Sequence, residues 1–398
     1  MPWKESRKMD QRIEFVLRAL NSPNFRELCL EYNISTKTGY KWRQRFIEQG
    51  VAGMEERSRR PHRHGAELRE AIVCEIVRLK QAHRHWGARK IQALYGRKHG
   101  KEVPSESSFK RVLERAGLTV PRRRKRSVET GRLSSGAKAE QPNDIWTVDF
   151  KGWWNDRQGL RVEPLTVRDE YSRMILELRA LEDARSDTVR HCFELLFERY
   201  GLPGAIRSDN GSPFASSHAL LGLSRLSAWW LALGINLERN RPRCPQDNGG
   251  HERMHRDIRC ELQSERIGRD QEAFEVWRRE YNNERPHEAL AMRVPAEVYR
   301  TSKRKYEGTP EDIDYGGMEV RKVQAKGGTI GYRNEKIFLS NSLGGWSVGL
   351  SDPGDGLLEV WFSTVLLGHL DRQTAAFQAS PGINKTIAKG LLTAGCAS

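Results

Sequence analysis

The stretch from Ile145 to Glu252 constrains the fold of this chain most, because three carboxylates stand in it beside predicted elements. Asp149 lies in the apolar run IWTVDF, which is typical of a buried strand. Asp209 follows a second short predicted strand and precedes the turn signal Asn-Gly. Glu252 lies near the start of a predicted helix, residues 247–265. A fold that brings two strand ends to the start of one helix would gather all three acids.

The residue type at these three positions indicates a site for hard cations. Mg²⁺ prefers oxygen ligands and is usually bound by one or two carboxylates together with substrate phosphates. Two such ions about 3.5–4 Å apart stabilise the attacking and leaving oxygens of phosphoryl transfer. A lone aspartate at a strand end is usually structural, so the hypothesis depends on the three acids acting together.

Four short motifs occur in a fixed order around these acids: WTVDF at 146–150, SDNG at 208–211, PQDNGGHER at 245–253 and YNNERPH at 281–287. In this order they resemble the catalytic core of the DDE transposases of bacterial insertion sequences, the branch related to retroviral integrases. The resemblance implies that Asp149, Asp209 and Glu252 are both catalytic residues and metal ligands. One feature departs from the family: 42 residues, 210 to 251, separate the second and third acids, which is longer than usual. We expect the excess in 218–227.

The resemblance also implies a ribonuclease-H-like α/β core, over residues 144–302. The local patterns agree with it. Period-2 stretches at 161–168 and 174–179 predict two strands after that of Asp149, and helical spacing predicts a helix from Ser186 to Tyr200. We expect Asp149 and Asp209 to lie near one another on adjacent strands.

Charge is distributed unevenly along the chain. Residues 1–143 contain 33 Lys and Arg against 16 Asp and Glu, whereas residues 144–398 contain 35 against 36. Nearly all of the net charge of +16 therefore lies in the first third, which favours a DNA-binding region joined to a less basic core. A basic surface that serves only solubility is the alternative.

Residues 1–50 are predicted to form a helix-turn-helix domain, whose second helix would enter the major groove. A plain helical bundle is the alternative. The residues expected to face DNA are Thr36, Lys37, Tyr40 and Lys41.

A basic linker is predicted at 51–65, followed by a second helix-turn-helix-like domain at 66–120 and another basic linker at 121–143. The first linker either tracks DNA phosphates or is a solvated tether. Consecutive cations in the second repel one another and stay extended unless phosphates neutralise them. The DNA contacts expected in these three segments are Arg57, Arg59, Arg60, Lys110, Arg111, Arg122, Arg123, Arg124, Lys125 and Arg126.

Arg253 and Arg256 flank Glu252 on its predicted helix, where they are candidates for DNA contact. Arg256 stands four residues after the acid and could instead pair with it. Further on, six short strands separated by turn signals predict a small all-β, SH3-like barrel at 308–372, and residues 373–398 are predicted to be a tail.

The six cysteines are scattered and form no CxxC pair, which favours a reducing compartment and argues against a zinc finger. No apolar run approaches the length of a membrane span, and no signal peptide is recognised. We therefore expect a bacterial cytoplasmic, nucleoid-associated protein.

The sequence as a whole predicts a multidomain DNA transposase. The expected partners are double-stranded DNA, as terminal inverted repeats and as target, and at least one further copy of the chain. The expected cofactor is a pair of Mg²⁺ ions, for which Mn²⁺ would substitute. One alternative is a catalytically silent, sequence-specific DNA-binding regulator that keeps the core as a scaffold. Another is a ribonuclease H, although helix-turn-helix domains suit the major groove of B-DNA better than an A-like hybrid.

Overall fold

The computed structural model describes residues 8–56, 68–100, 102–119, 138–181, 183–216, 219–240 and 249–381. These residues belong to two compact units, Met1–Arg69 and Glu70–Ser398. None of the helices in the described ranges is long and apolar enough to cross a membrane.

The first unit is helical, as predicted. Its elements are α1 (Lys8–Asn21), α2 (Phe25–Glu31), α3 (Thr36–Gln49) and a 3-10 turn (Gly50–Met54). Asn24 and Ser35 cap α2 and α3 through side-chain oxygens that accept backbone N–H groups. Met54 is fully buried against this helical core, so the folded region continues past residue 50, where the first linker was predicted to begin.

The second unit begins with three more helices, α4 (Glu70–Ala82), α5 (Ala88–His99) and α6 (Glu106–Arg115). Ser105 caps α6, as its position before an amphipathic run indicates. Gly117 ends this segment with a positive φ, a conformation that glycine adopts without the steric cost of a side chain.

The centre of the second unit is a five-stranded mixed sheet in the order β5-β4-β1-β6-β7. Its pairs β1–β4 and β4–β5 are antiparallel, whereas β1–β6 and β6–β7 are parallel. The strands of this region, with a separate two-stranded ribbon formed by β2 and β3, are β1 (Ile145–Phe150), β2 (Trp154–Asn155), β3 (Arg161–Val162), β4 (Pro164–Asp169), β5 (Ile175–Ala180), β6 (Ala205–Ser208) and β7 (Asn236–Arg239).

Helices flank this sheet: α7 (Ser186–Tyr200), α8 (Arg225–Ala232), α9 (Gly249–Ile258), α10 (Gln271–Asn283) and α11 (Pro295–Val298). Three antiparallel strands followed by alternating helices and strands agree with the predicted integrase-like α/β core. The core begins before residue 144, because the buried Asn143 donates through Nδ2 to the Arg300 carbonyl at 2.8 Å. The helix predicted at 247–265 is regular only as α9 and continues as a π-helical turn, Arg259–Gln263.

The C-terminal part is all-β, as predicted, and forms a five-stranded antiparallel sheet in the order β14-β13-β12-β11-β8 and a β9–β10 hairpin. An SH3-like arrangement is not established by this topology. Residues 377–379 form an edge strand inside the segment predicted as a tail. The strands are β8 (Glu319–Lys322), β9 (Thr329–Tyr332), β10 (Glu335–Phe338), β11 (Ser347–Ser351), β12 (Leu357–Phe362), β13 (Val365–Asp371) and β14 (Phe377–Ala379).

The C-terminal sheet shares one hydrophobic core with the central α/β region. Two hydrogen bonds reinforce the junction: Trp229 Nε1 donates to Thr309 Oγ1 at 3.0 Å, and the Ser342 hydroxyl donates to the Leu223 carbonyl at 2.6 Å. The C-terminal sheet therefore packs against the central α/β region on the side that carries α8.

Candidate active site

Strand register places the first two acids side by side. β1 and β6 are parallel, and Thr147 of β1 pairs with Arg207 of β6. Continuing both strands by two residues brings Asp149 level with Asp209, which stands just after the end of β6. The structure thus confirms that the two acids lie side by side, Asp149 on β1 and Asp209 directly after the adjacent strand β6.

Asp209 is held by its own turn and by an arginine on β7. Its Oδ1 accepts the Gly211 N–H at 3.1 Å. Arg239 donates to Ser208 Oγ at 2.8 Å, to the Asp209 carbonyl at 3.2 Å and to the Phe214 carbonyl at 2.8 Å. Burial lowers the pKa of Arg239 to about 10, and the negative charge of Asp209 partly opposes this effect. The guanidinium therefore fixes the backbone that carries Asp209.

Glu252 occupies the first turn of α9, where a carboxylate is stabilised by the positive end of the helix dipole. Its side chain is exposed, whereas Met254 and Ile258 on the other side of the helix are fully buried. Packing of this apolar side against Phe274 and Trp277 of α10 fixes which face of α9 carries Glu252.

The pKa of Asp149 shows that the three acids act on one another. Burial, and to a lesser extent the negative charges of Asp209 and Glu252, raise this pKa to about 7, against a hydrogen bond from the Phe150 backbone and the positive charge of Lys151. A carboxylate surrounded by carboxylates resists ionisation until a cation neutralises the group. The three predicted residues thus form one electrostatic site.

The donor set consists of carboxylate oxygens, the ligands that Mg²⁺ and Mn²⁺ prefer. The chemistry of the three side chains therefore fits the predicted cofactor. Among the residues that the structure describes, no three carboxylate, histidine or cysteine side chains are close enough together to enclose a metal ion.

Two histidines on α9, which the sequence analysis did not single out, pack directly behind Asp149. His251 is fully buried and His255 largely so, and their ring centroids lie 4.7 Å apart. Both rings contact the hydroxyl of Thr166 on β4, with Nε2 to Oγ1 distances of 2.6 and 2.9 Å. Burial lowers the pKa of His251 well below its ordinary value and that of His255 to about 3. Both rings are therefore neutral at physiological pH.

The hydrogen-bond inventory assigns their tautomers. Thr166 donates its single hydroxyl hydrogen to the Asp149 carbonyl at 2.8 Å, so both histidines must donate to Thr166 from Nε2. His251 Nδ1 lies 2.9 Å from Thr147 Oγ1, whose single hydrogen is shared between this nitrogen and the Arg168 carbonyl at 3.3 Å. His255 Nδ1 is left as a lone pair, 3.9 Å from Asp149 Oδ2. The available sequence signal was that His251 and His255 are spaced i, i+4 on the helix that carries Glu252.

Arg253 and Arg256 are both exposed on α9. The described hydrogen bonds and ion pairs include none between Arg256 and Glu252. Lys151, at the end of β1, donates to Gln263 Oε1 at 3.2 Å, and burial lowers its pKa. This lysine lies near Asp149 and Arg259, as its charge interactions with both show.

The predicted DNA-facing residues of the first unit lie together on the exposed start of α3. Tyr40 stacks on Phe25 at 4.3 Å between ring centroids, and the Lys41 ammonium lies 4.8 Å from the Trp42 ring centroid. Thr36 and Lys37 occupy the first turn of the helix. The arrangement agrees with a helix that presents its N-terminal residues to a groove.

On α6, Lys110 and Arg111 are also exposed. Several predicted DNA contacts lie outside the described residues, namely Arg57, Arg59, Arg60, Arg122, Arg123, Arg124, Lys125 and Arg126.

Comparison with protein families finds helix-turn-helix models in the first part of the chain and integrase core models in its central part. Integrase core domain models match residues 139–245 and 233–295. A helix-turn-helix domain model matches residues 11–62, and a homeodomain-like domain model matches residues 38–113.

Two relatives come from bacterial insertion elements. The insertion element IS407 uncharacterized 31.7 kDa protein of Burkholderia multivorans is 28% identical over 234 residues, 57% of this chain and 80% of that protein. The insertion element IS476 uncharacterized 39.2 kDa protein of Xanthomonas euvesicatoria is 29% identical over 243 residues, 58% of this chain and 66% of that protein.

Solved structures with some similarity include the catalytic core domain of BIV integrase, 22% identical, with a TM-score of 0.31 over 39% of this chain and 93% of that one. The HTLV-2 integrase catalytic core domain in complex with magnesium is 14% identical, with a TM-score of 0.31 over 41% of this chain and 100% of that one.

Proposed function

Because this chain belongs to the integrase-core superfamily and carries helix-turn-helix domains, we propose that it is the DNA transposase of a bacterial insertion element. It binds the terminal repeats of the element, cuts the DNA at each end and joins the freed ends to target DNA. The observation that carries the proposal is that the parallel register of β1 and β6 brings Asp149 level with Asp209. Burial, together with the charges of Asp209 and Glu252, raises the pKa of Asp149 to about 7, so the three acids lie within electrostatic reach of one another.

In this proposal the three carboxylates hold two Mg²⁺ ions, and Mn²⁺ substitutes for them. Divalent cations bound there would polarise the scissile phosphate and lower the pKa of a bound water. The contribution of the protein is to hold its donor groups in place. Arg239 fixes the Asp209 backbone, and the hydrogen-bonded Thr166 ties β4 to the carbonyl of Asp149.

The chemistry consists of two substitutions at phosphorus. In the first, water attacks the phosphodiester at the element end, the bond to the 3′ oxygen breaks, and a 3′-hydroxyl and a 5′-phosphate result. In the second, that 3′-hydroxyl attacks a target phosphodiester, forms a new phosphodiester and releases a target 3′-hydroxyl. The attacking oxygen loses its proton to solvent in each step. No covalent intermediate with the protein is required.

DNA contact is proposed for α3 and α6 and for Arg253 and Arg256 beside Glu252. Helix starts and exposed cations in the basic N-terminal third supply the groove and phosphate contacts. Joining two element ends in one event requires at least two protomers on the DNA, so the active assembly is proposed to be a homo-oligomer.

The test is a cleavage and joining assay on duplexes that carry the sequences flanking this gene, with Mg²⁺ or Mn²⁺. We expect the wild type to produce a 3′-hydroxyl at the element end and a joined product, and Glu252→Gln to produce neither. Glu265→Gln is a matched control, because Glu265 is exposed just beyond the π-helical turn that follows α9. Tight DNA binding by the wild type without cleavage in either metal would favour the silent regulator instead.

A further inference from the structure

The second helical region, α4 to α6, docks on the central α/β region through the segment that leads into α5. At the centre of the contact Trp86 is only 2% exposed, and the guanidinium of Arg285 lies 5.5 Å from its ring centroid. Arg285 is itself 1% exposed and pairs with Asp257 at 3.0 Å and with Glu261. A tryptophan and an arginine, both desolvated, are the residue types that dominate binding energy in protein interfaces.

Ion pairs surround this centre. Arg97 of α5 contacts Glu297 of α11 at 2.9 Å, and Arg89 lies 3.8 Å from Glu288. On the other side His83, stacked on Trp86 at 4.0 Å, contacts Glu280 of α10 at 3.1 Å. We call this set of contacts the docking interface.

A buried aromatic centre with a charged rim is the anatomy of a specific interface. Lys90 on α5 lies in the same contact, where burial lowers its pKa and the nearby Arg285 lowers it further. Several cations of α5 thus contact the central region. This segment belongs to the basic first third of the chain, which was predicted to bind DNA.

The docking leaves the cations of α6 available for the DNA contact proposed above. Arg97 and Arg89 of α5 are engaged with glutamates, whereas Lys110 and Arg111 of α6 are exposed. Because α5 and α6 pack on each other through Leu94, Tyr95 and Phe109, fixing α5 also fixes α6.

Arg285 extends this fixation to the candidate active site. Its two acid partners stand on α9 and on the π-helical turn that continues it, and α9 carries Glu252. One guanidinium therefore touches the second helical region through Trp86 and the Glu252 helix through Asp257.

We propose that the docking interface sets the distance between the DNA sequence read by α6 and the phosphodiester cut at Glu252. This inference rests on the proposed transposase function and extends it, since it assigns Trp86 and Arg285 as positioning residues. A chain with an intact interface cuts at one place relative to the recognised sequence, and a chain with a loosened interface cuts at several places or none.

The first arm of the test needs no cleavage. Hydrogen exchange is measured on the full chain, free and bound to a duplex carrying the sequences that flank this gene. We expect Trp86→Ala to speed exchange in peptides from 249–263 and 271–298 by tenfold or more. We also expect DNA to slow exchange in 249–263 for the wild type but not for this variant. Unchanged exchange in Trp86→Ala overturns the docking interface.

A pair of charge-reversal variants distinguishes loss of the docking interface from general misfolding. Arg97→Glu and Glu297→Arg should each weaken the DNA-dependent slowing in 249–263, and the double variant should restore it. Arg78→Glu is the control, because Arg78 pairs with Glu75 inside α4 and not across the interface. A double variant no better than either single change overturns the assigned pairing.

The second arm maps the cut position on the same duplex. We expect one position for the wild type, for Trp86→Phe and for the charge-exchanged double variant, and a spread or loss of cuts for Trp86→Ala at unchanged DNA affinity. A single unchanged position in Trp86→Ala overturns the positioning role. A wild-type chain that shows the DNA-dependent slowing but never cuts contradicts the proposed catalysis and leaves the interface standing.

Discussion

The two ends of α9 place carboxylates in opposite electrostatic settings. At the start of the helix Glu252 stands near Asp149 and Asp209, and burial together with these like charges raises the pKa of Asp149 to about 7. At its other end, Asp257 on α9 and Glu261 on the π-helical turn that follows share one buried arginine, Arg285. The acids around Glu252 would be neutralised by a bound cation, whereas Asp257 and Glu261 are already neutralised by Arg285.

This difference distinguishes an acid with a proposed functional role from acids with a structural role on the same helix and its continuation. A cluster of like charges is unfavourable for folding and is typical of sites that bind a cation or do chemistry. A carboxylate paired with a buried guanidinium holds elements together, and the indole of Trp277 adds a hydrogen bond from Nε1 to Glu261 at 2.6 Å. Variants of the acids near Glu252 should therefore affect activity more than stability. Variants of the cluster around Arg285 should affect stability more than activity.

The largest expected effect is on activity, in the cluster of acids beside the start of α9. Asp149→Asn removes a donor oxygen from the proposed metal site, so we expect cleavage to fall by about 10³-fold or more, the scale of losing one strong transition-state contact. Single-turnover cleavage of the flanking-sequence duplex measures the rate. The control is Asp183→Asn, because Asp183 pairs with Arg185 and Thr188 and not with the three acids. A wild-type rate in Asp149→Asn would contradict the assignment of Asp149.

The next largest effect is on stability at the other end. Arg285→Met leaves Asp257 and Glu261 without their buried cation, which costs ~3–5 kcal/mol of the free energy of unfolding. Denaturant titration of the full chain measures it. Arg256→Met is the matched control, because Arg256 is exposed on α9, the helix that carries Asp257, and should change stability by less than about 0.5 kcal/mol. Equal effects of the two changes would contradict the structural role of Arg285.

A smaller effect is expected at Thr166 on β4, which contacts α9 through His251 and His255. Thr166→Val removes the hydroxyl that both histidines and the Asp149 carbonyl share, and leaving buried polar groups unpaired costs ~1–3 kcal/mol. Thermal unfolding measures the loss. Thr166→Ser keeps the hydroxyl and should recover most of it, and a serine variant as unstable as the valine variant would show that the methyl group matters instead.

The sequence predicted the acids and not the groups that support them, for a physical reason. Strand periodicity and turn signals are local, and they place Asp149 and Asp209 at the ends of strands that proved to be neighbours. Contacts between distant segments leave no local pattern. His251 meets Thr166 across 85 positions, and Arg97 meets Glu297 across 200.

The Arg-Pro-His turn illustrates the same limit. Its sequence gave no physical reason for an arginine at position 285. The structure supplies one, because the guanidinium is buried among Asp257, Glu261 and the rings of Trp86, Trp277 and Tyr281. A buried cation needs partners from several elements, and only the assembled fold reveals which ones.

The last expected effect concerns the pH dependence of stability at the acid cluster beside the start of α9. In the metal-free protein the pKa of Asp149 rises from 3.8 to about 7, whereas in the unfolded chain the carboxyl ionises near its ordinary value. Between these values the unfolded state is ionised and the folded state resists ionisation, so stability falls as pH rises toward 7. Asp149→Asn removes this loss, so its melting temperature in chelator should exceed that of the wild type increasingly from pH 4 to pH 7 and by a constant amount above pH 7. A constant difference from pH 4 to pH 7, or one that shrinks with pH, would contradict the raised pKa, and Glu265→Gln should follow the wild-type curve.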